Sequence, residues 1–154
     1  MDTEKIEWFL RGNWAPLSEE KELNDLKVDG SIPTELDGIY VRTGPNPKDG
    51  KGSHWFLGDG MVHGIRLKKG KAEWYRNRFV QTPDITEPLT DPMAGLGDLR
   101  RGKGNTHVVA HNEQIMCLEE AHWPWTINAD LETTGVLNYE GKLDCSMTAH
   151  PLSL

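Results

Sequence analysis

The sequence is poor in the features that mark several common protein classes. It carries two cysteines in 154 residues, Cys117 and Cys145, which is no disulfide framework. It has no Asn-x-Ser/Thr sequon. Long hydrophobic runs are missing too. The longest aliphatic or sulfur run is Ile115-Met116-Cys117-Leu118, far short of the roughly 20 apolar residues of a membrane-spanning helix. Basic charge is scarce: 17 Lys and Arg stand against 24 Asp and Glu, a net charge of −7. A nucleic-acid surface needs the opposite balance, clustered on one face. The first ten residues are mixed and charged, without the apolar block and small-residue cleavage site of a secretory signal. These absences argue against a membrane helix, a disulfide scaffold and a basic nucleic-acid binder, and they favour a reducing cytoplasm.

What is present suits a folded, β-rich chain. Hydrophobic residues make up 36 % and charged residues 27 %, enough apolar material for a packed core. The length fits one domain or a piece of a larger one. Sixteen glycines and nine prolines are scattered as punctuation, the pattern of short strands joined by tight turns. Residues 1–36 are the least regular, and 18–26 read as one or two helical turns. A first strand follows at 39–42. Residues 62–67 and 72–80 flank the turn Lys68-Lys69-Gly70-Lys71. Residues 106–110 and 114–118 flank His111-Asn112-Glu113, and 137–139 and 143–147 flank Glu140-Gly141-Lys142. Residues 131–134 add a strand end. Residues 82–104, rich in Pro and Gly, form a long irregular loop, and such loops inside compact domains are often functional. No helix-strand alternation suggests a parallel doubly wound sheet. The spacing fits a sandwich, a barrel or propeller blades.

Six histidines invite a metal or acid-base reading. His107 and His111, four apart on a strand, share a face but stand roughly 13 Å apart, too far to share a metal without a bend. His122, among Trp123, Pro124 and Trp125, reads as a stacked or hydrogen-bonded loop residue. Gly58-Asp59-Gly60 reads as a turn feeding a strand. It offers one carboxylate where a calcium loop needs several, and no Gly-Lys-Ser/Thr follows to make a phosphate loop. No Gly-x-Ser-x-Gly elbow is present. Cys117 reads as core. The six tryptophans read as core and loop anchors.

The order of motifs carries more. Asn13-Trp14-Ala15-Pro16-Leu17 is followed by Val28-Asp29-Gly30, Ile32-Pro33, Glu35-Leu36 and Gly38. Then come Tyr40-Val41-Arg42-Thr43-Gly44-Pro45-Asn46-Pro47, His54-Trp55-Phe56, Gly58-Asp59-Gly60-Met61-Val62-His63-Gly64 and Tyr75-Arg76-Asn77-Arg78. Over residues 11–151 this resembles the carotenoid cleavage oxygenase family, which includes bacterial lignostilbene dioxygenases. Leu57 departs from the family, which usually carries an acidic residue before the Gly-Asp-Gly turn.

The resemblance implies an all-β fold, part of a seven-bladed β-propeller with Fe²⁺ on its axis. Four histidines from different blades hold the iron. It implies a reaction in which dioxygen splits a carbon-carbon double bond of an apolar, conjugated substrate into two carbonyls. The family's first iron histidine lies in a Thr-Ala-His-Pro motif, here Thr148-Ala149-His150-Pro151, which makes His150 the metal-ligand candidate. Neutral imidazoles suit Fe²⁺, and such ligands need acceptors that fix the ring. Glu120, four residues before Pro124, occupies the family's supporting position. Glu119 is its rival, and strand alternation sends the two in opposite directions. None of His54, His63, His107, His111 or His122 matches a family ligand.

The family's other three iron histidines and remaining blades lie beyond His150, and Leu152-Ser153-Leu154 does not continue the family pattern. The expectation is therefore an N-terminal arm at 1–36 and incomplete propeller blades, about two, at 37–154. Three readings follow. The chain is the first part of a carotenoid-, apocarotenoid- or stilbene-cleaving dioxygenase. Alternatively it is a catalytically inactive truncated fragment. A third reading is a binding module whose aromatic residues and loop 83–104 grip an apolar ligand.

Overall fold

Period-two side-chain alternation and two-residue turns build the two central hairpins of the chain. A computed structural model describes residues 6–152. The ends, 1–5 and 153–154, lie outside the described residues, and so do the readings of the first five residues and of the Ser153-Leu154 tail. Eight strands form two antiparallel four-stranded sheets. The first sheet holds β1 (Lys21–Asn24), β2 (Gly38–Pro45), β3 (Gly60–Lys68) and β4 (Lys71–Phe79), in the order β1-β4-β3-β2. The second is a meander of β5 (His107–His111), β6 (Gln114–Leu118), β7 (Trp125–Ile127) and β8 (Thr133–Val136). The regular structure of the described residues is thus all-β apart from one helical turn, α1 (Pro83–Thr86), and short 3-10 turns.

The two tight hairpins fall where the sequence places them. Lys69 and Gly70 join β3 to β4, and Asn112 and Glu113 join β5 to β6, all with positive φ. Positive φ at both central residues gives a turn whose twist matches that of the flanking strands.

Other segments depart from expectation. Residues 21–24 form β1, not a helical turn. Lys21 pairs with Asn77 and Asn24 with Trp74 across the ladder. The buried Asn77 side chain accepts from the Lys21 N–H at 2.7 Å and donates to the Glu19 carbonyl at 3.0 Å. Those partners lie more than fifty residues away, and they outweigh local helix propensity. The expected hairpin of 137–139 with 143–147 does not form. Tyr139, Glu140 and Gly141 take positive φ, and the chain turns back on itself through Leu143 N–H to Asn138 O at 3.0 Å. Residues 133–136, not 131–134, form the last strand, because Leu131 has φ 66° and leaves the extended region. β7 lies in a segment that reads as an aromatic loop.

The core fills the space between the sheets. Val62, Val80, Cys117, Trp125, Ile127 and Leu131 are buried there, with Val41, Trp74 and Val108 packed against them. A second cluster lies on the other face of β6, where Met116 and Leu118 meet Ala149, with Val109, Leu137 and Met147 around them. β6 is therefore buried on both faces, which explains its unbroken apolar run. Met147 and Ala149 cover its outer side and carry the chain to His150.

The long loop 82–104 is pinned rather than loose. Lys103 Nζ lies 3.0 Å from both Asp59 Oδ1 and Asp84 Oδ2, and Arg101 Nη1 lies 3.0 Å from Asp84 Oδ1. Burial opposes the Lys103 charge, but hydrogen bonds to Asp84 and Asp59 outweigh it and raise its pKa. Burial likewise opposes the Asp84 carboxylate, and its two cationic partners lower its pKa. The backbone of this loop passes so close to β3 that a Cβ on Gly60 would lie 2.1 Å from the Lys103 carbonyl.

Candidate functional site

The site grows from the end of β6. Glu119 and Glu120 follow Leu118 directly, and alternation separates them. The Glu119 carboxylate accepts from the N–H groups of Lys103 at 3.1 Å and Ala121 at 2.8 Å, and lies 2.9 Å from His122 Nδ1. Glu120 turns the other way. Its Oε2 accepts from the Ala149 N–H at 3.1 Å and the Thr148 hydroxyl at 3.2 Å. Its Oε1 lies 3.3 Å from His150 Nε2. One carboxylate thus clasps three consecutive residues of the Thr-Ala-His-Pro segment.

His150 projects from that clasp with 70 % of its side chain exposed. Its own N–H donates to Thr148 Oγ1 at 3.2 Å. The buried Ala149 sets the turn against Met116 and Leu118. His107, from the start of β5, reaches the same turn. Its Nδ1 lies 2.9 Å from the Ala149 carbonyl, and its ring stacks on that of His150 with centroids 6.0 Å apart.

Beside these groups opens a pocket of about 420 Å³, lined by Thr43, Trp55, Phe56, Asn105 and Thr106 as well as Glu120 and His150. Asn105 organises its wall. The buried amide donates to the carbonyls of Phe56 at 2.9 Å and Gly58 at 2.7 Å. The loop bearing Trp55 and Phe56 is thereby held over the site. Thr43 Oγ1 donates to the Gly104 carbonyl at 3.0 Å and ties β2 to the same corner.

The remaining histidines serve elsewhere. His63 lies 2.8 Å from the Tyr75 hydroxyl, and burial, aided by the Arg42 charge, lowers its pKa to about 4. His54 Nδ1 accepts from the Phe56 N–H at 3.2 Å. His111 is exposed at the end of β5, and His122 is held by Glu119, the hydrogen-bonded loop role its sequence context suggests. Burial pushes the Cys117 thiol up to about 12, so it behaves as an apolar core group. Among the described residues no three His, Cys, Asp or Glu side chains converge as a metal cage. The donor chemistry fits one corner of a histidine-held divalent site: the exposed His150 imidazole with a carboxylate against its ring, beside the His107 imidazole, whose Nδ1 is engaged by the Ala149 carbonyl. Sequence reading missed Asn105 and weighed His107 only as a metal partner of His111; the partners of both lie more than forty residues away along the chain. The only local signal for Asn105 is a polar residue set between Gly104 and the start of β5.

Comparison with known proteins identifies the family and the fold. Residues 14–153 match the family described as RPE65, retinal pigment epithelial membrane protein. The chain is 42 % identical to a carotenoid cleavage oxygenase of Mycobacterium tuberculosis, over 93 % of this chain and 30 % of that protein. It is 36 % identical to carotenoid 9,10(9',10')-cleavage dioxygenase 1 of Phaseolus vulgaris, over 93 % and 32 %. Its fold superposes on the lignostilbene dioxygenase of Pseudomonas brassicacearum with a TM-score of 0.78 at 28 % identity, covering 93 % of this chain and 33 % of that one. The chain spans about a third of the length of the curated relatives it matches. Nine-tenths of the chain aligns at that level, and the two sheets superpose; the chain belongs to the RPE65 family of carotenoid cleavage oxygenases.

Proposed function

We propose that this chain is the N-terminal part of a non-haem Fe²⁺ dioxygenase that cleaves a C=C double bond of a carotenoid, apocarotenoid or stilbene-type substrate to two carbonyl products. The observation that carries the reading is the clasp of Glu120 on Thr148-Ala149-His150 at the edge of an aromatic-walled pocket. In this reading His150 is one of four iron-binding histidines, and Glu120 fixes its ring from behind. Bound there, Fe²⁺ supplies the redox chemistry by which dioxygen is consumed. The chain's own residues hold the imidazole at a set angle, and Trp55 and Phe56 offer an apolar wall to a conjugated substrate. The relatives' names, which cite carotenoid cleavage and a lignostilbene dioxygenase, support an apolar conjugated substrate together with dioxygen.

Architecture belongs to the same proposal. The two sheets are about two blades of a seven-bladed propeller at 37–154, preceded by an arm at 1–36 that lends β1 to the first blade. Two free cysteines support a reducing, cytoplasmic setting. The test is a full-length relative carrying these motifs. His150→Ala is expected to abolish iron retention and the formation of carbonyl products from a carotenoid or a stilbene. Unchanged iron content in that variant would sink the assignment.

A further inference from the structure

We propose that His107 is a positioning residue for His150, acting by holding the carbonyl of Ala149. The inference rests on the reading of His150 as a metal ligand and adds to it the device that sets the ring's direction.

A carbonyl oxygen can only accept, so the 2.9 Å contact requires the hydrogen on His107 Nδ1. The other side of the Ala149 residue is held as well: its N–H donates to Glu120 Oε2 at 3.1 Å. Its methyl group is wholly buried among Met116 and Leu118. Every group of Ala149 is therefore engaged. The carbonyl is held from β5, the N–H from the residue pair after β6, and the side chain by β6 itself.

The two polar holds keep a fixed spacing. His107 faces Leu118 across the β5–β6 ladder, and Glu120 follows Leu118 by two residues. The sheet thus sets the distance between the donor on one side of the turn and the acceptor on the other. His107 also lies against the His150 ring, with an interplanar angle of 30°, which limits rotation of that ring. Core packing does not account for His107, because its side chain is exposed to solvent. His111, on the same face of the same strand, makes no comparable bond among the described residues.

Hydrogen exchange read by mass spectrometry on the 154-residue chain at micromolar concentration tests this without any metal. His107→Ala is expected to speed exchange at the Ala149 and His150 amides by about tenfold, as one lost, partly buried hydrogen bond implies. The amides of Met116 and Cys117 in β6 should keep their protection. His107→Asn places an amide N–H near the position of Nδ1 and should restore protection at residues 149 and 150. Unchanged exchange at those residues in His107→Ala would overturn the proposal. Equal loss of protection in β6, or no recovery with Asn, would also overturn it, since either marks general loosening. Metal retention by His150→Ala in a full-length relative separates the two ideas. Iron lost there with exchange unmoved here ends the positioning role alone. Iron kept there ends the ligand reading while leaving the exchange result standing.

Discussion

Glu119 and Glu120 are neighbours in sequence and point to opposite sides, one to His122 and the other to His150. Each binds a backbone N–H as well as an imidazole, Glu119 that of Lys103 at the end of the long loop and Glu120 that of Ala149 in the turn 148–150. The same chemistry thus serves a scaffold on one side and the candidate metal corner on the other.

Substituting the two should therefore give different phenotypes. In a full-length relative carrying these motifs, Glu120→Gln is expected to lower metal affinity or activity by about 10- to 100-fold, the usual effect of losing an outer support of a ligand histidine. Glu119→Gln should leave iron content unchanged and lower thermal stability, because the Lys103 and Ala121 amides lose a charged acceptor. Metal analysis and thermal melts on both variants check this. Equal iron loss in the two would contradict it.

Acid should weaken the fold through His63. Its folded pKa is about 4, against an ordinary value near 6.5, because burial and then the Arg42 charge disfavour the protonated ring. Below the ordinary value the unfolded chain takes up a proton that the folded chain refuses. Stability contributed by this group thus falls as pH drops from about 6.5 to about 4 and levels off below. Urea midpoints at pH 7.5, 6 and 5 should decline more steeply in the parent than in His63→Gln. Parallel declines would refute the assignment.

Asn77→Ala should cost about 1–3 kcal/mol, since it strands the Lys21 N–H and the Glu19 carbonyl that the buried amide satisfies. Urea unfolding measures the loss. Exchange at the β1 amides should rise before that of β3, because Asn77 joins β1 to the sheet.

Gly60→Ala tests the seat of the long loop. A methyl 2.1 Å from the Lys103 carbonyl forces the backbone of the loop away from β3, and overpacking of this kind costs about 1–3 kcal/mol. A denaturation midpoint equal to the parent's would show that the loop yields freely.

The 154-residue chain by itself is expected to retain no stoichiometric iron and to consume no oxygen with a carotenoid or a stilbene. His107 at the same corner is engaged by the Ala149 carbonyl, which leaves His150 as the candidate ligand, and a single ligand does not hold Fe²⁺ in a defined site. The free edges of β5 and β8 favour self-association, although the net charge of −7 favours solubility. Size-exclusion chromatography, metal analysis and oxygen uptake decide it. A monomer with one iron per chain and measurable turnover would show that another donor completes the site.

What the sequence disclosed follows from the range of the forces involved. The β3–β4 and β5–β6 hairpins were legible because alternation and a two-residue turn are local. β1 was not, because its identity depends on Asn77 and the β4 ladder. The false hairpin at 137–147 shows the converse: a good turn at Glu140-Gly141-Lys142 was present, but Met147 and Ala149 gained more by covering Met116 and Leu118. His150 and Glu120 were found through motif order alone, since nothing in their spacing of thirty residues suggests that they meet. Asn105 and His107 act on distant backbone carbonyls, and backbone acceptors leave no mark in a sequence.

The double burial of β6 makes one strand answer to two masters. Ile115 and Cys117 look toward the space between the sheets, while Met116 and Leu118 look toward the turn that carries His150. A void opened at Cys117 or Trp125 cannot relax without moving Met116, and a shift of Met116 moves the floor beneath Ala149. Substitutions that soften the intersheet core should accordingly blur the aim of the His150 ring while leaving every residue around it unchanged, so the core tunes a site it never touches.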